Sequence, residues 1–191
     1  GIALDGDGDR VLIVDEKGQV VAGDQLIAML AVYLQGLGRL DNNAVAITQM
    51  SNLALEEYLG VNGIKSYRCN VGDKHVMALM MQQGLSFGGE ASGHLIFADH
   101  GATGDGLVAA LTLLALYCTK KEPISKLASE LKLYPQTLIA VPLPDAAILE
   151  SAEWQLCMDQ VTSSKQADQV RILVRPSGTE PVLRILVEGP K

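Results

Sequence analysis

Cysteine, aromatic side chains and positive charge are all scarce in this chain. Cys69, Cys118 and Cys157 are its 3 cysteines, far apart and without a C-x-x-C pair. That spacing suggests neither a disulfide framework nor a zinc site, and the expected setting is a reducing cytoplasm. Aromatics make up 4%, and 15 Lys and Arg face 22 Asp and Glu, a net charge of −7. Nucleic acid and anionic membrane are therefore poor principal partners, and any anionic ligand must be met by local cationic spots. The longest apolar run, residues 107–118, is too short to span a bilayer, and no signal peptide is recognisable. What the chain does have is 48% apolar residues, enough for one large or two small cores, and 19 glycines, which make its loops important. It starts at Gly1 inside a strand-like segment, and a fragment of a longer protein is expected.

Hydrophobic periodicity divides the 191 residues. Residues 1–4 and 11–14 read as strands around an acidic loop, followed by a turn at 15–18 and a return strand over 19–22. Asp24 reads as the N-cap of a helix over 26–34 that ends near Gly36. Strands over 44–48 and 64–69 alternate with helices over 53–59, capped by Ser51 or Asn52 and stopped by Gly60, and over 74–83, stopped by Gly84. Short strands at 85–87 and 95–97 bracket a glycine-rich loop, and 106–118 reads as a helix with Asp105 at its entrance. This rhythm predicts an α/β fold: a three-layer mixed-sheet domain over 24–136, preceded by a short β remnant over 1–23. Pro135, Pro142 and Pro144 punctuate a boundary. A strand at 137–141, a helical stretch within 146–161 and strands at 170–174 and 182–187 then predict a small α+β domain over 137–191.

The chemistry is concentrated in the loops. In Leu4-Asp5-Gly6-Asp7-Gly8-Asp9-Arg10, three carboxylates on alternate positions repel one another unless a cation sits among them. Oxygen ligands suit Mg²⁺ or Ca²⁺ rather than zinc. A solvated turn is the plain alternative. An EF-hand register starting at Asp5 fails, because Arg10 stands where that loop needs glycine and a strand-like run follows instead of a helix. A third reading makes Asp5 an aspartyl nucleophile with Asp7 as its acid/base. In Arg175-Pro176-Ser177-Gly178-Thr179-Glu180-Pro181, a guanidinium, two hydroxyls and backbone N–H groups can grip a phosphate, or simply form a polar hairpin turn. Gly89-Glu90-Ala91-Ser92-Gly93-His94 sets Glu90 and Ser92 to bind sugar hydroxyls and His94 to approach a phosphate or ring oxygen, the plain alternative again being a tight turn. Gly72-Asp73-Lys74-His75 opens a helix. Asp73 reads as its cap, and Lys74 or His75 as a phosphate contact or proton carrier.

In their order along the chain these loops resemble the α-D-phosphohexomutases, and the resemblance runs along essentially the whole chain, including Met50-Ser51-Asn52, Val71-Gly72-Asp73 and Thr103-Gly104-Asp105-Gly106. The nearest subgroup is that of the bacterial phosphoglucosamine mutases, with phosphoglucomutase/phosphomannomutase as the substitute. A non-catalytic sugar-phosphate or Ca²⁺-binding module is the alternative of another class. The resemblance implies four domains around a cleft and a phosphoserine that donates to a hexose phosphate, giving a bisphosphate that reorients before a phosphate is taken back. It further implies that Asp5, Asp7 and Asp9 hold Mg²⁺, and that Arg10 neutralises the phosphoryl group in flight, with Lys74 and His94 also catalytic. Glu90 and Ser92 would grip the sugar, and Arg175, Ser177, Gly178 and Thr179 the phosphate that is not reacting. Lys74-His75, Ala91 and Pro176 depart from the glucosamine pattern. No Ser-His-Asn-Pro type loop occurs. The expectation is therefore a C-terminal fragment, inactive alone, whose metal loop is empty or disordered without its serine partner.

Overall fold

The computed structural model describes residues 1–143, 145–162, 170–177 and 180–190. Contacts divide it into two compact units, Gly1–Leu133 and Tyr134–Lys191. The first opens with an antiparallel sheet of β1 (Ile2–Leu4), β2 (Val11–Val14) and β3 (Val20–Val21) in the order β1-β2-β3. Strand alternation buries Val11 and Ile13 and leaves Leu12 exposed. Leu4 pairs with Val11, so the acidic loop is closed at its base by the first rung of the ladder.

The second sheet has the order β5-β4-β6-β7, from β4 (Ala44–Thr48), β5 (Lys65–Cys69), β6 (Phe87–Gly89) and β7 (Leu95–Phe97). β4 runs parallel to both β5 and β6, while β7 returns antiparallel to β6. Because it is covered on both faces, β4 is an unbroken buried run instead of an alternating one. Ala44, Ala46 and Ile96 pack under Val76 and Met80 of α3 (Asp73–Gln83). The opposite face meets α1 (Gly23–Gly36), and the adjacent glycines of β6 show both layers. A Cβ on Gly88 would lie 2.8 Å from Met80 Sδ, and one on Gly89 would meet Ile27 of α1 at 3.4 Å. α1 is flanked in turn by α2 (Leu53–Val61), α4 (Gly106–Lys120) and α5 (Ile124–Ala128). The result is a three-layer mixed-sheet α/β unit.

Several element boundaries differ from the sequence reading. Asp24 does not cap α1: the cap is Ala22, and the buried Asp24 carboxylate accepts the Asn52 N–H at 2.9 Å, tying the start of α1 to the turn before α2. Asn52 caps α2 through the Ala54 N–H at 3.0 Å. Gly60 does not stop that helix, which runs to Val61 and is capped by Asn62. α3 begins at Asp73 itself, with Gly72 in the cap position. β6 starts two residues later than expected because Leu85 is still engaged in the cap that follows α3, its N–H reaching Met80 O at 2.9 Å. α5, after Pro123, has too short an apolar pattern to be read from sequence.

The second unit is a small α+β module. β8 (Gln136–Pro142), β9 (Arg171–Pro176) and β10 (Val182–Glu188) form an antiparallel sheet in the order β8-β10-β9, with a 3-10 turn at Ala146–Glu150 and α6 (Ala152–Thr162). Glu188 lies opposite Gln136 on one side and Arg171 on the other. Its buried carboxylate meets Arg171 Nε at 2.6 Å and accepts a hydrogen bond from the Gln136 amide, which supplies the partners a buried charge needs. Among the described residues no helix is long and apolar enough to cross a membrane.

Replacing Asp24 by Ala leaves the buried Asn52 N–H without this acceptor and is expected to lower stability by about 1–3 kcal/mol in urea unfolding. An unchanged midpoint would show that the bond contributes nothing net.

Candidate functional site

The acidic loop is tied by hydrogen bonds to its own backbone. Gly8 takes a positive φ of 75° and donates to Asp5 O at 3.2 Å, and the Arg10 N–H donates to Asp5 Oδ1 at 3.2 Å. The turn gathers one oxygen each from Asp5, Asp7 and Asp9 within 4.8 Å of one another. Arg10 Nε stands 3.9 Å from Asp5 and 3.8 Å from Asp9, too far for good hydrogen bonds. Among the described residues, Asp9 Oδ1 is buried with no hydrogen-bond partner. Burial first, then the Asp5 and Asp7 carboxylates, push the Asp9 carboxyl above its usual range. For Asp5, desolvation acts upward, but the hydrogen bond from the Arg10 N–H, the adjacent Asp9 carboxyl and the Arg10 charge bring the net shift below. Crowded oxygen donors, one of them buried and unsatisfied, fit a hard divalent cation.

The Glu90 to His94 loop is joined directly to this one. Arg10 and His94 form an antiparallel bridge, and the Val11 N–H donates to Gly93 O at 3.1 Å. Gly93 is required there: its φ is +89°, and a Cβ would lie 2.2 Å from Val11 O. His94, 2% exposed, places Nδ1 3.1 Å from Asp9 Oδ2 and accepts the Gly104 N–H on Nε2 at 3.1 Å. The Gly106 N–H donates to Gly8 O at 2.9 Å, which fastens the start of α4 to the acidic loop. Thr103-Gly104-Asp105-Gly106 is therefore more than a helix entrance, although Asp105 does cap α4 by accepting the Leu107 and Val108 N–H groups at 2.9 Å.

Of the residues singled out for the sugar, Glu90 is half-buried and Ser92 is exposed at the loop tip. Glu90 Oε1 accepts the Gly72 N–H at 2.9 Å, so the turn before α3 orients that carboxylate. Burial and then the Glu90 charge push the nearby Cys69 thiol up. Lys74 is exposed in the first turn of α3. The sequence reading missed Gly72, Gly104 and Gly106 as contacts, because their contributions come from backbone atoms that no side-chain pattern advertises. A cavity of about 600 Å³ lined by Ile2, Ile13, Leu113 and Tyr117 includes none of these loops.

In the second unit, Arg175 lies in β9 opposite Arg184 of β10. Glu180, an awkward neighbour for an anion, pairs with Arg184 at 2.8 Å, and among the described residues Arg175 Nε is buried without a hydrogen-bond partner. The Ser177 N–H donates to Val182 O at 2.8 Å, narrowing the mouth of the loop. Gly178 and Thr179 lie outside the described residues.

Asp9→Asn keeps an acceptor for His94 and removes one crowded charge. With its pKa raised in the folded state, Asp9 costs stability once it ionises above that pKa, and not in acid. The metal-free variant is thus expected to melt at a higher temperature than the unaltered chain at neutral pH, and to lose any stabilisation by divalent cations. A lower metal-free melting temperature would contradict this electrostatic picture.

Sequence models of the phosphoglucomutase/phosphomannomutase family match in two places: the alpha/beta/alpha domain III over residues 22–134 and the C-terminal domain over residues 138–191. The phosphoglucosamine mutase of Bartonella quintana is 48% identical over 189 residues, 99% of this chain and 41% of that protein. That of Anoxybacillus flavithermus is 46% identical over 191 residues, 100% of this chain and 42% of that protein. This chain thus spans about two fifths of the length of such relatives. Among solved structures, Aspergillus fumigatus N-acetylphosphoglucosamine mutase in complex with GlcNAc-6P and magnesium superposes with a TM-score of 0.80 at 22% identity, covering 100% of this chain and 48% of that one. A phosphoglucomutase/phosphomannomutase family protein from Burkholderia thailandensis gives 0.78 at 22% identity, over 100% of this chain and 42% of that one. With its two units matched in order by domain III and the C-terminal domain, the chain belongs to the phosphoglucomutase/phosphomannomutase family.

Proposed function

We propose that this chain carries the metal-holding and ligand-gripping portion of a cytoplasmic phosphosugar mutase that interconverts glucosamine 6-phosphate and glucosamine 1-phosphate through a bisphosphate. The observation that carries the reading is the hydrogen-bonded union of the acidic loop with the Glu90 to His94 loop through Arg10, Val11 and His94. It puts a cation-gathering turn next to a loop suited to sugar hydroxyls. The phosphoglucosamine mutase relatives support glucosamine phosphate over the other hexose phosphates of the family.

In this reading Asp5, Asp7 and Asp9 hold Mg²⁺, which when bound supplies neutralisation of a phosphoryl group in transfer. Arg10, exposed beside them, adds a second positive charge, and Lys74 a third at the start of α3. Glu90, already oriented by the Gly72 N–H, accepts from one sugar hydroxyl, and Ser92 bonds a neighbour. Arg175, Ser177, Gly178 and Thr179 hold the phosphate that is not reacting, with Glu180 kept off the anion by Arg184. In this reading the residues named above bind the sugar phosphate and its cation, and none of them is assigned as the phosphoryl donor.

Glucosamine 6-phosphate with Mg²⁺ is expected to raise the melting temperature of the chain, by an amount that grows with the logarithm of ligand concentration above Kd. Arg175→Ala is expected to abolish the sugar-phosphate increment while leaving any increment from Mg²⁺ alone. A shift that survives this substitution would remove Arg175 from the phosphate site.

A further inference from the structure

Resting on the metal reading above, the geometry points to His94 as a positioning residue for the metal ligand Asp9, and not as a group that exchanges protons with substrate. The argument is one of hydrogen-bond direction. A backbone N–H can only donate, so the Gly104 N–H, 3.1 Å from Nε2, requires a bare lone pair on that nitrogen. The ring proton of a neutral imidazole then sits on Nδ1, where it is donated to Asp9 Oδ2 at 3.1 Å. The tautomer is thereby set by a glycine ten residues downstream.

Three further features hold the ring in this state. His94 is only 2% exposed, so its edges are closed to solvent. A Cβ on Gly104 would lie 2.5 Å from His94 Cε1 and Nε2, so the chain passes against the ring at a distance that glycine alone permits. The His94 backbone is pinned as well, its carbonyl accepting the Glu90 N–H at 2.9 Å and its bridge partner being Arg10. With one oxygen of Asp9 committed to the ring, the second, Oδ1, is the buried one that lacks a hydrogen bond and is left for a cation. Metal-ligating groups are commonly oriented by such an outer hydrogen bond, here with the carboxylate as ligand and the imidazole behind it. Both ring nitrogens are used, so proton transfer to or from substrate falls to another group.

Two measurements on the intact chain test this. Long-range ¹H–¹⁵N NMR correlations should show His94 protonated on Nδ1 and bare on Nε2, and a ring protonated on Nε2 would overturn the assignment. Mn²⁺ affinity, read by electron paramagnetic resonance, supplies the second test. His94→Gln, which moves the donor away from Asp9, should weaken Mn²⁺ binding about 10- to 100-fold, whereas His94→Asn, whose amide N–H stands in for Nδ1–H, should stay within about threefold of the unaltered chain. Equal affinity in both variants would remove the positioning role while leaving the metal site standing. Failure of the unaltered chain to bind Mn²⁺ would instead overturn the metal site, and the role of His94 with it.

Discussion

Three carboxylates whose oxygens lie within 4.8 Å of one another repel, and much of the first unit is arranged to hold them together nonetheless. The restraint comes from the backbone. β1 and β2 close the base of the loop, the Gly8 and Arg10 N–H groups satisfy Asp5, and the Gly106 N–H fixes Gly8 from the start of α4. Arg10 stands near the carboxylates without forming a close ion pair, which leaves their charge uncancelled and available. Such crowding is unfavourable without a cation among the oxygens, and burial, followed by the neighbouring Asp5 and Asp7 carboxylates, makes Asp9 hold its proton more tightly than an ordinary aspartate.

Glycines make the joining of the loops possible. At Gly93, Gly104 and Gly106, and at Gly23 against Ala91 O, an added Cβ would come within 2.2 to 2.5 Å of a neighbouring group. At Gly23 this reverses the ordinary preference, since alanine inside a helix is usually better than glycine by about 1 kcal/mol. Close backbone approach is what lets β2, the Glu90 to His94 loop and the entrance of α4 share one set of hydrogen bonds.

Much of this was legible in the sequence, and the exceptions share a cause. The strands at β2 and β4, the capping by Asn52 and Asp105, and the carboxylate spacing follow from local pattern. Asp24 was misread because a carboxylate before a helix looks like a cap, whereas here its partner is the Asn52 N–H, 28 residues away. His94 could be picked out as chemically interesting, yet its ring partners, Asp9 and Gly104, are set by tertiary structure. The same holds for Glu180, whose proximity to a phosphate loop is awkward only until Arg184 is seen beside it. Periodicity reports which face is buried; it does not report which backbone N–H meets which side chain.

The central claim, that the acidic loop is a metal site preassembled by its neighbours, is tested most directly by crystals grown with Mn²⁺ and examined by anomalous diffraction. The account predicts a peak at bonding distance from one oxygen of each of Asp5, Asp7 and Asp9, with Asp9 bound through Oδ1 and His94 still on Oδ2. Carboxylates splayed apart with no peak between them, or a metal bound with the Asp9–His94 contact broken, would contradict it.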